Sequence, residues 1–476
     1  MNEFGSGSMK KINIINYTIL SMTIFSFIML LFYVNRLNII PLRYCYIFTF
    51  LDFFLILFSL IFNKFDSKII NYIGMFIAVV VLLMNSFGIY YVKHLDKFLD
   101  NGFTGDIVRS STYYLVTSKN NSVDKIDDVA FNSNVYYFNL GDNKEEAFAK
   151  VGNYNYMELD EMDDFFIGSI NSDNYLLVEK NNYNLVFNEV EGYSQDNFKV
   201  IYEFDIKTSS KRNEEVKDVY NVLIIGKDFG NRNDLTLLAT VNTKSRKVLL
   251  TSFQRDYYIP THGTPYSDTI CLMTLLGDDV VVKSIGDYLN ITIDYTITLY
   301  TDNIVEIVDK IGGIEFCSDQ AFTTTHAKVL GTYDDSKGEK VHIRKGCQHL
   351  NGIETLTVAR ERLVFKTADR KRQENCRKIL MSILRKIIDG STLLNYTSVL
   401  DSFNGLYQTD LNRTVITSLI RDLISDGEYE VVEQLADGYN TMGRRQQNKW
   451  KGYVTYPDEE LTKKIKAKIK SVMAEK

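Results

Sequence analysis

Two charged segments far apart in the chain carry the residue types that bind a phosphate and its counter-ion. The first holds Asp228, Arg232, Asp234, Arg255 and Asp256; the second holds Arg360, Arg362, Asp369, Arg370, Lys371 and Arg372. Guanidinium forks take phosphate oxygens in pairs, and carboxylates hold Mg²⁺. Asp228 and Asp234 follow an apolar stretch, Tyr220 to Ile225, that reads as a buried strand. On a loop past the carboxyl end of such a strand, two acids can converge on one cation. Two unrelated surface acids is the plain alternative, as a surface ion pair is for Arg232 beside Asp234. Arg255 follows a second apolar stretch, with Asp256 placed either to serve a ligand or to neutralise it. Arg360 and Arg362, if their segment is extended, project from one face with Glu361 opposite. The block Asp369 to Arg372 precedes an amphipathic segment whose helical amino end also favours anions. Singly each signal is weak; together they favour a phosphate site.

Other chemistries lack their signatures. No GxxxxGK[ST] phosphate loop, HExxH helix or Gly-x-Ser-x-Gly turn occurs. The histidines (His94, His262, His326, His342 and His349) show no ligand spacing, and none lies close to Ser252 as a base. The cysteines (Cys45, Cys271, Cys317, Cys347 and Cys376) are odd in number and lack a CxxC pair. They are expected to be small buried hydrophobes, with no disulfide framework legible. A formal net charge of -6 argues against a nucleic-acid binder, which needs a basic face.

The elements that must position these charges follow from periodicity. Tyr220–Ile225, Leu235–Asn242 and Lys247–Ser252 read as strands, the last two joined by a turn at Thr243–Arg246. Ile304–Ile311 reads as a helix stopped by Gly312 and Gly313. Asn375–Ile388 reads as an amphipathic helix, with Ile379, Leu380, Ile383 and Leu384 on its apolar face. Helix is also expected through Asn395–Leu435 and over Glu459–Met473. Strands alternating with helices predict an α/β sandwich around a central sheet over residues 212–476. Residues 93–211 read as a small accessory α/β domain without a catalytic constellation. Its strands are expected at Ser111–Thr117, Ser133–Leu140 and Asn174–Glu179. An acidic helix start is expected at Glu158–Phe166, and a polar linker at Thr208–Glu215.

Ahead of these lie three apolar stretches long enough to cross a membrane, Ile14–Val34, Tyr44–Phe62 and Ile69–Tyr91. Met1–Ser8 reads as a cloning remnant, with Met9 the natural start. Lys10, Lys11, Lys64 and Lys68 favour a cytoplasmic amino end, which makes the large domain extracellular; Arg36 and Arg43 oppose that orientation. Asp52, inside the second stretch, is either functional or satisfied between helices.

Residues 219–390 resemble the catalytic domain of the LytR–CpsA–Psr family. The family's strand ending in Gly-x-Asp matches Gly226 to Asp228, and its Arg-Ser-Asp-Thr motif matches Arg232 to Leu235. Its Ser-x-Pro-Arg-Asp matches Ser252 to Asp256, and its Asp-x-Leu-Gly-Gly-Val matches Asp309 to Ile314. Arg360 and Arg362 match the Arg-x-Arg block, and Asp369 to Arg372 the Asp-Arg-x-Arg after it. The three spans and accessory region look like the capsule-type branch.

The resemblance implies a three-layer α/β/α sandwich with a central mixed sheet. It implies an Mg²⁺-dependent enzyme of the cell membrane that moves a glycopolymer, of capsular or teichoic acid type, from polyprenyl pyrophosphate to peptidoglycan. Asp228 and Asp234 would hold Mg²⁺. Arg232, Arg255, Arg360, Arg362 and Arg370 or Arg372 would bind the pyrophosphate, and Asp369 belongs to the same block. A muramic acid hydroxyl would attack, and either Asp234 or Asp256 would take its proton. The lipid tail would need an apolar tunnel, lined from Leu235–Ala239 and Lys378–Ile388. Three departures stand out. Gln254 replaces proline and is expected to alter only backbone stiffness. Asn233 and Leu235 replace hydroxyl residues, which removes any hydroxyl contact to metal or phosphate. The family's glutamine falls on Glu374 or Cys376, with Gln373 out of phase. A membrane-bound regulator or scaffold that only binds polyprenyl phosphates, and a pyrophosphatase using water, are the competing readings.

Overall fold

The computed structural model describes residues 3–65, 67–138, 140–159, 165–166, 173–180, 182–183, 194–212, 215–227, 232–264, 266–300, 303–325, 340–366, 369–388, 406–445 and 450–476. Helices α1 (Glu3–Leu37), α2 (Leu42–Phe62) and α3 (Lys68–Phe103) hold the three apolar stretches, each long and apolar enough to cross a membrane. Polar groups tie them together: Asn16 donates to Asn63 Oδ1 at 2.9 Å, and Ser59 donates to the Gly74 carbonyl at 2.8 Å. The third helix outruns its expected end at Tyr91. Leu95, Leu99 and Phe103 recur at helical spacing and find apolar cover on the large domain, so the helix continues past its charged stretch.

The accessory domain comprises β1 (Ile107–Ser118), β2 (Asn134–Tyr137), α4 (Lys144–Val151), β3 (Asn155–Glu158), β4 (Tyr175–Glu179) and β5 (Phe198–Ser210). Its strands form a mixed sheet in the order β3-β2-β4-β1-β5. Part of the expected linker is sheet, because Thr208–Ser210 pair with Ile107–Arg109. Arg212 is anchored as well, donating to the carbonyls of Gly102 at 3.0 Å and Thr409 at 2.8 Å. Of the expected acidic helix, Glu158 ends β3 and residues 160–164 lie outside the described residues.

The large domain opens with β6 (Val219–Lys227), β7 (Asn233–Asn242), β8 (Lys247–Phe253), β9 (Tyr258–Pro260), β10 (Ser267–Thr269), α5 (Asp278–Leu289) and β11 (Tyr295–Tyr300). Next come α6 (Ile304–Lys310), β12 (Ile314–Ser318), β13 (Phe322–Thr325), β14 (Lys340–Ile343), β15 (Gly346–Leu350), α7 (Gly352–Arg360) and α8 (Asp369–Ile388). It closes with β16 (Tyr407–Thr409), α9 (Arg413–Asp426), β17 (Glu430–Ala436), β18 (Gly438–Arg445), β19 (Trp450–Pro457) and α10 (Glu459–Ala474). The central sheet runs β16-β11-β6-β7-β8-β17. β6, β7 and β8 are antiparallel, while β11 joins β6 and β17 joins β8 in parallel.

Successive strand residues face opposite ways, and both faces are apolar, so both need helices. Leu223, Leu238 and Leu249 pack on Val281 and Ile285 of α5 and on Ile465 and Ile469 of α10. Their neighbours Val222, Leu237 and Leu250 pack on Leu380 of α8, Val415 of α9, and Leu37, Leu99 and Phe103 from the membrane helices. The result is the expected three-layer α/β/α sandwich. The expected helix across Asn395–Leu435 is corrected: residues 389–405 lie outside the described residues, and the remainder is β16, α9 and β17. Gly427, at φ 88°, ends α9, and Val431 and Val432 then pair with Val248 and Leu249 at the sheet edge.

Candidate active site

A β-bulge aims the central acid. In the β6–β7 ladder Lys227 faces Asn233 and Gly226 faces Leu235, so Asp234 has no residue opposite it. A Cβ on Gly226 would stand 2.9 Å from the Leu235 Cβ, so glycine is what lets the strands close there. The Asp234 carboxylate meets two guanidiniums, Arg255 Nε at 3.4 Å and Arg372 Nη1 at 3.5 Å. Its backbone carbonyl accepts from Arg372 Nη2 and from Gln373 Nε2, each at 3.0 Å. Burial would push the Asp234 carboxyl up, yet Arg372, Arg255, Arg232 and Arg362 together hold it below the ordinary carboxylate range. Among the described residues Asp234 Oδ1 is buried and accepts no hydrogen bond; Arg255 Nε stands 3.4 Å away but gives its proton to Cys271, so the oxygen keeps lone pairs that fit a hard divalent cation.

Each arginine is placed by a different element. Arg255 follows β8, and its Nε donates to Cys271 Sγ at 3.1 Å. Burial pushes that thiol up to about 12, so Cys271 meets the guanidinium as a neutral group. The expected extended segment at Arg360–Arg362 is corrected. Arg360 is the last residue of α7, whose start is fixed by a capping box between Asn351 and Glu354. Glu361 does not face solvent; it is buried, accepts from the amides of Leu363 (2.7 Å) and Val364 (3.2 Å), and receives the Thr324 hydroxyl. That acid therefore folds the turn carrying Arg362 toward the site. The block from Asp369 is the first turn of α8 rather than a loop before it. Arg372 points at Asp234, whereas Arg370 pairs with Asp437 at 2.7 Å and donates to the Gly438 carbonyl at 2.9 Å. Asp256 accepts the Thr455 amide on its backbone carbonyl at 2.8 Å. Asp228 and the Asp369 side chain lie outside the described residues.

Gln373, Gln254, Cys317 and Cys347 acquire roles that sequence reasoning missed. Gln373 is in phase with the site after all, because α8 begins early enough for both it and Arg372 to reach the Asp234 carbonyl. Glu374 instead holds Lys371 at 2.9 Å and Lys378 at 2.6 Å, and Cys376 donates to the Ala359 carbonyl. Gln254 does more than relax the backbone: it is buried and donates to Asp437, the same acid that pairs with Arg370. Cys317 and Cys347 form a disulfide across β12 and β15, and both are exposed, contrary to the buried thiols expected. Only register across a sheet could reveal that pairing.

The model of the LytR_cpsA_psr family matches residues 182–471. A polyisoprenyl-teichoic acid–peptidoglycan teichoic acid transferase, TagU, of Bacillus cereus is 30% identical over 226 residues, 46% of this chain and 67% of that protein. Its counterpart in Enterococcus faecalis is 27% identical, over 43% of this chain and 65% of that protein. Biofilm regulatory protein A of Streptococcus mutans is 24% identical, over 44% of this chain and 57% of its own length. The chain thus spans about two thirds or less of these relatives. Among solved structures, B. subtilis TagU is 24% identical with a TM-score of 0.42, covering 55% of this chain and all but 1% of its own (99%). TagT bound to LI-WTA is 21% identical with a TM-score of 0.43, covering 56% and 95%.

Proposed function

Because this chain belongs to the LytR–CpsA–Psr family, we propose that it is a membrane-bound phosphotransferase that moves a glycopolymer from polyprenyl pyrophosphate to peptidoglycan. The observation that carries this reading is the bulged Asp234 ringed by Arg232, Arg255, Arg362 and Arg372. A cluster of guanidiniums around one carboxylate suits a pyrophosphate, whose several negative oxygens the arginines bind in pairs. Phosphoryl transfer needs positioning and charge neutralisation more than covalent help.

The acceptor hydroxyl attacks the phosphorus nearer the glycan. A new phosphorus–oxygen bond forms to peptidoglycan, the bond to the bridging oxygen breaks, and polyprenyl phosphate leaves. Arg255 and Arg372 neutralise charge on the phosphoryl oxygens, while Arg232, Arg360 and Arg362 orient the distal phosphate. Asp234, held low by its arginines, is a poor proton acceptor at neutral pH. That favours Asp256 as the base and Asp234, with Asp228, as the holder of Mg²⁺. Mg²⁺ held by these two acids would supply positive charge to offset that of the pyrophosphate. The exposed disulfide supports an extracellular location, since disulfides persist in oxidising compartments. Whether the polymer is capsular or teichoic follows from the substrate tested.

The test uses the full chain in detergent with polyprenyl-pyrophosphate oligosaccharide, Mg²⁺ and uncrosslinked peptidoglycan. The expected products are a heavier acceptor and released polyprenyl phosphate, both lost with EDTA. Lipid phosphate without a heavier acceptor would replace the transferase by a hydrolase, and lipid binding without turnover would replace it by a scaffold.

A further inference from the structure

We infer that Asn233 is a further ligand to the divalent cation of this site, an inference that rests on the cation-dependent reading above. Asn233 opens β7 beside the bulge, is 0% exposed, and among the described residues neither its Oδ1 nor its Nδ2 has a hydrogen-bond partner. Burying an amide without partners costs free energy, so a fold that does so usually reserves the group for a ligand. The residue across the ladder, Lys227, does not reach for it: its ammonium lies 2.6 Å from both carboxylate oxygens of Asp278.

The chemistry of the orphaned atoms points to a cation rather than an anion. Among the described residues, Asn233 Oδ1, Asp234 Oδ1 and Gln373 Oε1 are three buried oxygens that accept no hydrogen bond, with Arg255 Nε 3.4 Å from Asp234 Oδ1, on residues joined by chain or hydrogen bond to the Asp234 backbone; Asn233 Nδ2 is the one donor among their orphaned atoms. The Gln373 amide is oriented by its donation to the Asp234 carbonyl, so its free atom is an oxygen. Hard divalent cations take carboxylate and amide oxygens together. Anion-binding donors are already supplied by the surrounding guanidiniums, and Asp234 offers the cation a charged oxygen at the bulge. The asparagine in place of a hydroxyl residue thereby restores a neutral oxygen next to the acid.

The test measures Mn²⁺ binding to the full chain in detergent, by electron paramagnetic resonance and without lipid or acceptor. Asn233→Leu, close to isosteric, removes both polar atoms; Asp234→Asn is the control for the site itself. Asn233→Leu is expected to weaken Mn²⁺ binding roughly tenfold or more, Asn233→Asp to retain it, and Asp234→Asn to abolish it. Without metal, Asn233→Leu should melt at or above the wild-type temperature, because an unpartnered amide is gone, and it should lose the rise that Mn²⁺ gives the wild type. Unchanged Mn²⁺ affinity in Asn233→Leu, alongside loss in Asp234→Asn, would overturn the role of Asn233 while leaving the site reading intact. A much lower melting temperature for metal-free Asn233→Leu would also overturn it, by making the amide structural. Absence of Mn²⁺ binding in the wild type would overturn both the inference and the cation-dependent reading.

Discussion

Asp234→Asn changes one charge at the centre of the site and nearly nothing else. The amide keeps the side chain's shape, and the backbone carbonyl that accepts from Arg372 and Gln373 is untouched. What disappears is the carboxylate between Arg255 at 3.4 Å and Arg372 at 3.5 Å. At an effective dielectric of about 20, each contact is worth roughly 5 kcal/mol before desolvation. The side chain is only 18% exposed, so desolvation offsets much of that. Breaking a buried pair by removing one partner costs about 3–5 kcal/mol net, which lowers the melting temperature by roughly 10 °C. The sign with pH follows from the depressed folded value. The stabilisation is fully present above the unfolded value of about 3.9 and is lost as pH falls through the lower folded value. Thermal melts of both proteins in detergent should therefore differ at pH 7 and converge in acid. Inorganic pyrophosphate should stabilise the variant more than the wild type, since it supplies the missing negative charge. Equal stability at pH 7, or a gap that persists unchanged into acid, would refute the electrostatic account.

Other outcomes are expected from the same geometry. Arg255→Ala should cut transfer by about 10²–10³-fold with the fold intact, measured by labelled glycan in sacculi; normal transfer by a well-expressed variant would remove Arg255 from the site. Cys317 and Cys347 should resist alkylation until reduced, and Cys317→Ser should cost about 2–4 kcal/mol, read by chemical denaturation. Cys271 should stay unlabelled by iodoacetamide at pH 8 in the native protein, being buried and held as a thiol up to about 12. Arg413 of α9 reaches Asp96 and Asp100 of α3, which also pair with Arg36 at 2.9 Å. Arg413→Ala should therefore raise hydrogen exchange in α9 and in the last turns of α3; unchanged protection would show that the apolar contacts alone dock the two parts.

The sequence by itself determined the local, periodic features of this protein. Three apolar stretches, the strands from Tyr220 to Phe253 and the helix stopped at Gly312 follow from residue spacing, and spacing is local. The charged motifs were legible for the same reason, and Asp234, Arg255 and Arg372 do converge. What spacing could not give is anything set by partners distant in the chain. The bulge at Asp234 exists because β6 and β7 pair out of step, and that decides which oxygens are orphaned. The early start of α8 turns Arg372 and Gln373 toward the bulge and sends Arg370 to Asp437. Glu361, at the end of α7, is turned inward by Thr324 of β13. The exposed cysteines become a disulfide only because β12 and β15 lie side by side. A single residue type fixes a propensity; the direction in which its side chain points, and what it meets there, is decided by tertiary packing.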